Sequence, residues 1–435
     1  MSLAEVRLWG RTIGAVSWED GGRAAAFQYD PAFARSGIQI SPITMPLGSQ
    51  VYSFPDLPAA TFHGLPGLLA DSLPDKFGNA LIDAWLSIQG RSAQSFSAVE
   101  RLCYTGQRGM GALEFVPATG PKPQPAKRIE IDSLVRLASD VLSQRRSLKA
   151  TFAGGRRKNA LNDILRVGTS AGGARAKAVI AWNRETNEVR SGQIEAGAGF
   201  DYWLLKFDGV TSNRDRELDD PKGYGAIEYA YHLMAKAAGV AMSECRLLEE
   251  NGRRHFMTRR FDRLEGGAKQ HMQSLCALAH FDFNQPGAHS YEQAMLVMRQ
   301  LLLPMTAIEE QFRRMVFNII ARNQDDHVKN IAFLMDRNGT WSLAPAFDVT
   351  YSYNPAGSWT SQHQMSMNGK RDGFTLADFR AFAKNARMTR GRAETIVMEV
   401  IDAVKNWRDH AGQANVMPDW RKQIHQNLRL NIPDR

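Results

Sequence analysis

Covalent cross-links are the first thing this sequence lacks. Only three cysteines, Cys103, Cys245 and Cys276, occur in 435 residues. They are widely separated, with no CxxC pair and no histidine at metal-ligand spacing. That excludes a disulfide framework or a structural zinc site and fits reduced thiols in a cytoplasmic protein. Long apolar runs are missing too. No stretch reaches the roughly 18–20 apolar residues of a membrane helix, and the opening MSLAEVRLWG has no charged-then-apolar secretory pattern. The expectation is a cytoplasmic chain with no membrane partner.

A concentrated block of positive charge is the third absence. Formal net charge is +9, yet the basic residues fall as scattered clusters such as Arg145-Arg146, Arg156-Arg157-Lys158 and Arg259-Arg260. No segment reads as a basic arm or a recognition helix, so any DNA contact depends on a partner. Solvated surface charge accounts for the clusters; a diffuse phosphate-facing surface is the alternative.

What is present is a folded composition, 43% hydrophobic and 23% charged, with length for two or three globular units. Short β-like runs open the chain (Val6 to Trp9, Ile13 to Trp18, Ala24 to Tyr29), separated by Gly10 and Glu19-Asp20-Gly21-Gly22 as in a meander. A helix is expected near Leu68 to Trp85 and a strand near Gly111 to Val116. The three prolines between Ala118 and Ala126 mark a linker. Beyond it come a helix over Asp132 to Leu148, a strand-rich region to about Phe261 with one inserted helix, and a mostly helical remainder. One hairpin interrupts that remainder, Ile331–Met335 and Trp341–Ala344 about an Asn338-Gly339 turn.

The densest chemistry lies in Asn323-Gln-Asp-Asp-His-Val-Lys-Asn330. Asp325 precedes Asn330 by the spacing of the kinase catalytic loop, where the aspartate orients or deprotonates a hydroxyl and the asparagine binds Mg²⁺. Asp348 follows the hairpin, where kinases place a metal-chelating aspartate; by itself it reads as a turn or capping residue. His327 has several open roles: orienting Asp325, contacting phosphate, acting as a base, or serving as a buried structural histidine. Lys329 either neutralises phosphate charge or is a surface lysine. Asp326 reads as a solvated loop residue.

Upstream, Val167-Gly-Thr-Ser-Ala-Gly-Gly-Ala-Arg-Ala-Lys177 is a glycine loop whose N–H groups can approach phosphate. Ala174 follows Gly173 where a Walker loop has lysine, and a strand follows rather than a helix, so a P-loop NTPase is disfavoured. The candidate nucleotide contacts here are Gly172, Gly173, Ala174, Arg175 and Lys177. On the next strand, alternation puts Lys206 on one face with Leu204, and Trp203 and Leu205 on the other. A lysine in such an apolar run needs a partner, and Glu228 on the following helix is the candidate. Phe261, in the connector, either flanks a base or belongs to the core.

In order, GTSAGGARAK, YWLLKF, IEYAYHLMAKAAGV, RRFDR, DDHVKN and PAFDV resemble the HipA family of bacterial toxin kinases, and GQRGMGALEFVP resembles its amino-terminal part. The resemblance implies an α+β, two-lobed protein-kinase-like fold: a β-rich N-lobe with an added amino-terminal meander, and a mostly helical C-lobe. The units would be an amino-terminal subdomain (1–118), a linker (119–127), an ATP-binding lobe (128–262) and a catalytic lobe (263–435). It further implies an ATP- and Mg²⁺-dependent serine/threonine kinase with Asp325 catalytic, Asn330 and Asp348 on the metal, and Lys206 on phosphates. Ser170, with Thr169 beside it, would be the autophosphorylated off-switch, since added phosphate charge opposes ATP. A HipB-like helix-turn-helix antitoxin would bind the chain and supply its DNA contact, and the substrate would be a translation component such as an aminoacyl-tRNA synthetase. Two departures stand out: Asp326 where glycine is frequent, and GARAK in place of GAQEK. Two rival readings remain open, a lipid or small-molecule kinase from Asp325-x-His327-x-x-Asn330, and a nucleotide-binding corepressor.

Overall fold

The computed structural model describes residues 1–120, 129–143, 175–193, 195–210, 214–215, 218–219 and 222–434. Period-two burial forms the first strands, which begin earlier than the apolar runs suggested. They are β1 (Ser2–Leu8), which buries Ala4, Val6 and Leu8, and β2 (Arg11–Trp18). Between them Trp9 and Gly10 take positive φ, 51° and 80°, the geometry of a two-residue hairpin turn. With β3 (Ala26–Tyr29), β4 (Val51–Tyr52) and β5 (Leu113–Val116), they make an antiparallel sheet of order β4-β3-β2-β1-β5.

The single helix expected over Leu68–Trp85 is broken. A helical turn over Gly67–Ala70 ends, and α1 (Lys76–Ile88) starts afresh. Pro74 has no N–H with which to continue the earlier turn, and Asp75 caps the new helix by accepting from the Gly78 N–H at 2.6 Å. Next, α2 (Ala98–Thr105), held by a Ser97–Glu100 capping box, lays Val99 and Leu102 into the first sheet's core.

The helix expected from Asp132 appears as α3 (Ile131–Ser143); residues 144–148 and most of the proline-bearing segment lie outside the described residues. A second sheet is built from β6 (Lys177–Asn183), β7 (Val189–Ser191), β8 (Phe200–Lys206), β11 (Cys245–Glu250) and β12 (Arg253–Arg259). Its order is β11-β12-β8-β6-β7 and every pairing is antiparallel. A short ladder of β9 (Arg214–Asp215) and β10 (Leu218–Asp219) precedes α4 (Tyr224–Ala237). One face of the second sheet, carrying Ala178, Ile180, Trp203, Leu205 and Met257, packs on Phe77, Leu81 and Ile82 of α1 and on Leu134, Val135 and Ala138 of α3. A helix of the amino-terminal stretch therefore covers the back of this sheet, leaving Leu204, Lys206, Phe256 and Thr258 to line a cleft. Gly225 seats α4 closely on the sheet, because a Cβ there would come within 2.3 Å of the Arg254 carbonyl oxygen.

The rest is largely helical: α5 (Leu275–Ala279), α6 (Tyr291–Gln300), α7 (Met305–Ile320), α8 (Leu376–Asn385), α9 (Arg392–Val404), α10 (Trp407–Gln413) and α11 (Pro418–Asn427). The expected hairpin is there as β14 (Ala332–Met335) and β15 (Trp341–Leu343), with β13 (His271–Ser274) as third strand. Gly339 completes the turn at φ 83°. Phe312, Met315, Val316 and Ile319 of α7 are buried in a core continuous with Val6, Phe27 and Phe115 of the first sheet. Among the described residues no helix is long and apolar enough to cross a membrane.

A buried ionic knot joins the pieces. Asp262, fully buried, accepts from Arg260 at 2.8 and 2.6 Å, from Arg263 at 2.7 Å and from the Gly111 N–H at 2.7 Å. Arg263 also donates to the carbonyls of Gly109 and Gly111 at 3.1 Å. The RRFDR and GQRGMG motifs, about 150 positions apart, meet here. The outcome is the expected α+β fold of two lobes, kinase-like, with antiparallel sheets.

Candidate active site

Strand alternation decides which side chains enter the cleft. In β8, Trp203 and Leu205 are fully buried behind the sheet, while Leu204 and Lys206 face the cavity. The Lys206 ammonium contacts two carboxylates at once, Glu228 from α4 and Asp348 from beyond β15. Arg175 adds a second cation, with Nη1 3.5 Å from the other Glu228 oxygen and its guanidinium 3.5 Å from the Tyr224 ring centroid. Lys177 lies directly opposite Lys206 in the β6–β8 register, and its Nζ is 3.3 Å from Asp75 Oδ2.

These charges set one another's protonation. Burial works to lower the Lys206 ammonium, but Asp348 and Glu228 outweigh it and hold it above its ordinary value. Burial also opposes the Asp348 carboxylate, yet Lys206, Lys177 and His327 bring Asp348 well below the usual carboxylate range. Glu228 goes the other way: burial dominates and raises it despite Lys206 and Arg175. The contrast follows from the neighbours: Lys206, Lys177 and His327 all lower Asp348, whereas the Asp348 carboxylate adds to burial in raising Glu228. At Asp75, burial likewise outweighs Lys177 and pushes the carboxyl up to about 6.

The loop after α7 presents the remaining groups. Arg322 takes φ 58° and turns the chain out of the helix. Asn323 ties the loop back by donating to Asn318 Oδ1 at 2.9 Å and accepting from Ser352 Oγ at 2.9 Å. Asp325 faces the cavity with Oδ1 accepting from the Trp359 indole at 2.7 Å. His327 Nε2 stands 3.9 Å from that oxygen and its ring tilts against Phe283 at 5.4 Å. Lys329 lies 5.2 Å from the same Phe283 centroid. Asn330 donates its Nδ2 to the Asp325 carbonyl at 2.9 Å, which leaves its amide oxygen available to a ligand. Asp348 itself sits at φ 57°, an uncommon backbone state outside glycine.

A cavity of about 860 Å³ gathers these residues. Asp325, His327, Lys329, Asn330, Asp348, Lys206, Glu228, Arg175, Lys177 and Phe261 all line it. Gly172, Gly173, Ala174, Thr169 and Ser170 lie outside the described residues. Phe261 packs against Phe347 with ring centroids 5.7 Å apart. Its backbone N–H and C=O take no hydrogen bond among the described residues, so this connector is open to a base edge. The metal-binding chemistry fits Mg²⁺: an ionised carboxylate (Asp348) and a neutral amide oxygen (Asn330) are hard donors. No group of three or more His, Cys, Asp or Glu is arranged to hold a metal ion by itself among the described residues, so such an ion would complete its shell with phosphates and water.

One reading needs correction. Asp326 is not a solvated loop residue; it is 4% exposed and accepts from Tyr291, His363 and the Gln364 N–H. The partners come from α6 and from residues 363–364, too far along the chain for local pattern to reveal. Sequence reading also missed Trp359, Phe283 and Asp75. For Asp75 a signal existed, an aspartate just after proline at a helix start.

Comparisons with known proteins agree with this architecture. A chain of the Shewanella oneidensis MR-1 toxin–antitoxin complex of HipA, HipB and operator DNA aligns with 97% of this chain and 96% of its own length. Identity is 16% and the TM-score 0.68. CtkA, a proinflammatory kinase of Helicobacter pylori, aligns with 52% of this chain and 90% of its own at 12% identity, with a TM-score of 0.33, too loose to bear on the fold. No curated protein matches. Family models match the HipA N-terminal domain over residues 4–116 and the HipA-like C-terminal domain over residues 169–408. With more than half of its residues in the second match alone, the chain belongs to the HipA family.

Proposed function

We propose that this chain is an ATP- and Mg²⁺-dependent protein serine/threonine kinase that acts as a growth-arresting toxin. The observation that carries the reading is the double pairing of Lys206 with Glu228 and Asp348 in the same cavity as Asp325 and Asn330. Lys206, positioned by Glu228, would hold ATP phosphates, and Asp348 with Asn330 would hold Mg²⁺, which would offset the phosphate charge. Asp325 would take the proton of an acceptor hydroxyl as its oxygen bonds to the γ-phosphorus and the bond to the ADP oxygen breaks. His327 is close enough to steer Asp325, and Lys329 to offset charge on the transferred group. Phe261 and the open connector backbone would receive the base.

The partner we propose is a HipB-like helix-turn-helix antitoxin that would carry the DNA contact. Support comes from the solved HipA relative, which is in complex with HipB and operator DNA. An aminoacyl-tRNA synthetase or another translation component is the proposed substrate, and Ser170 the proposed autophosphorylation site.

Incubation with Mg²⁺, γ-labelled ATP and bacterial lysate tests the reading. Label on a serine or threonine of a lysate protein, or on Ser170 by mass spectrometry, supports it. Label only in a small metabolite makes this a small-molecule kinase, and no label at all sinks both. EDTA should reduce incorporation to background, and added Mg²⁺ should restore it. Glu228→Gln should lower kcat/KM for ATP about tenfold, the scale of one charge-assisted hydrogen bond. The effect stays modest because Lys206 keeps Asp348 as a partner.

A further inference from the structure

We infer that Asp326 is the positioning residue of the 323–330 loop, clamped by His363, which is fixed in turn by Arg429. The inference rests on the kinase reading, since it assigns Asp326 the task of placing Asp325. Asp326 Oδ1 accepts from the Gln364 N–H at 2.8 Å; its Oδ2 accepts from the Tyr291 hydroxyl at 2.7 Å and meets His363 Nδ1 at 2.9 Å. Asp326 is 4% exposed and His363 0%.

Hydrogen-bond chemistry settles the tautomer. An ionised carboxylate only accepts, so His363 Nδ1 carries the proton and donates it. Arg429 Nη1, a pure donor, lies 3.1 Å from His363 Nε2, which must accept. His363 is thus a neutral imidazole with both nitrogens engaged. Arg429 is itself held by its backbone N–H on the Ile320 carbonyl at 2.9 Å and by an ion pair with Asp372. Tyr291 is fixed by Asn318 of α7 at 3.1 Å, and Arg371 Nε grips the His363 carbonyl at 2.6 Å.

The clamp reaches the reacting group by two routes. Asp326 adjoins Asp325 in the chain. The segment that binds Asp326 also contains Trp359, whose indole holds Asp325 Oδ1 at 2.7 Å, and Gln364 donates to the Trp359 carbonyl. Small displacements of a reacting group are costly in rate.

Steady-state kinetics of wild type, Asp326→Asn, His363→Ala, His363→Asn and Tyr291→Phe test the inference. Asp326→Asn sets an amide N–H against a donor, and His363→Ala removes one. Each should lower kcat about 100-fold with KM for ATP within about twofold. His363→Asn restores a donor near Nδ1 and should recover most of the loss. Tyr291→Phe, a mild change that keeps the fold, should lower kcat about tenfold. A second readout does not need catalysis: ¹⁹F NMR of 5-fluorotryptophan-labelled protein, with the Trp359 signal assigned by Trp359→Phe. That signal should move in His363→Ala and return in His363→Asn. Wild-type kcat in Asp326→Asn and Tyr291→Phe, or an unmoved Trp359 signal, overturns the clamp. So does a fall in kcat matched by a rise in KM and a lost thermal transition in every variant, which marks a purely structural network. If wild type transfers no phosphate, the kinase reading fails, and the Trp359 signal still decides the clamp.

Discussion

Asp325→Ala is expected to lower kcat for phosphoryl transfer about 10³-fold, the scale of a positioned general base, with nucleotide affinity nearly unchanged. The separation follows from where the charge sits. Asp325 lies outside the Lys206–Glu228–Asp348 cluster, with its side chain 32% exposed to the cavity. Oδ1 is engaged by Trp359, and Oδ2 has no hydrogen-bond partner among the described residues. One oxygen is therefore oriented and the other is open to a proton. Losing a partly exposed carboxylate with one indole partner costs little stability, so the thermal midpoint should stay close to wild type. Single-turnover kinetics with a nucleotide-binding titration checks both halves. An unchanged kcat removes Asp325 from the chemistry, whereas a matched loss of nucleotide binding moves it into the metal site.

Asp262→Ala should destabilise the protein by about 3–5 kcal/mol, the cost of breaking a buried ion pair by deleting one partner. Here the loss strands two buried cations, Arg260 and Arg263, and frees the Gly111 N–H. Urea unfolding followed by tryptophan fluorescence measures it, and a change under about 1 kcal/mol would contradict the knot's importance. Acid dependence provides a second check with a definite sign. Burial opposes the Asp262 carboxylate, but Arg260 and Arg263 hold it well below its ordinary value in the folded protein. A depressed folded-state pKa contributes stability above the unfolded value of about 3.9 and loses it as pH falls through the folded one. The gap in stability between wild type and Asp262→Ala should therefore be full near neutrality and shrink below about pH 4.

Legibility in the sequence tracked the range of the interaction involved. The β14–β15 hairpin, the first meander and the split of β8 into a core face and a cleft face are all signalled by short turns and by alternation between adjacent residues. The Lys206–Glu228 pair was readable because a buried lysine demands a carboxylate and the next helix offered one. Helix α1 starts later than expected because Pro74 and Asp75, inside the Leu68–Trp85 window, end one helical turn and cap the next. Asp326 is harder still to read from the sequence. A loop aspartate carries the same local signature whether solvated or locked, and its partners Tyr291 and His363 lie 35 and 37 positions away.

By itself, then, the sequence determined the residue types and their order: Lys206 by strand alternation, Glu228 as its candidate partner on the next helix, and Asp325, Asn330 and Asp348 by their spacing in loops. Only the tertiary structure decided that Lys206 bridges two carboxylates rather than one, and that Asp75 reaches Lys177 from the amino-terminal stretch. It alone showed that the Asp262 knot ties motifs about 150 positions apart. The physical reason is that local propensity and alternation fix a side chain's direction, whereas charge pairing and burial depend on what the fold brings to meet it.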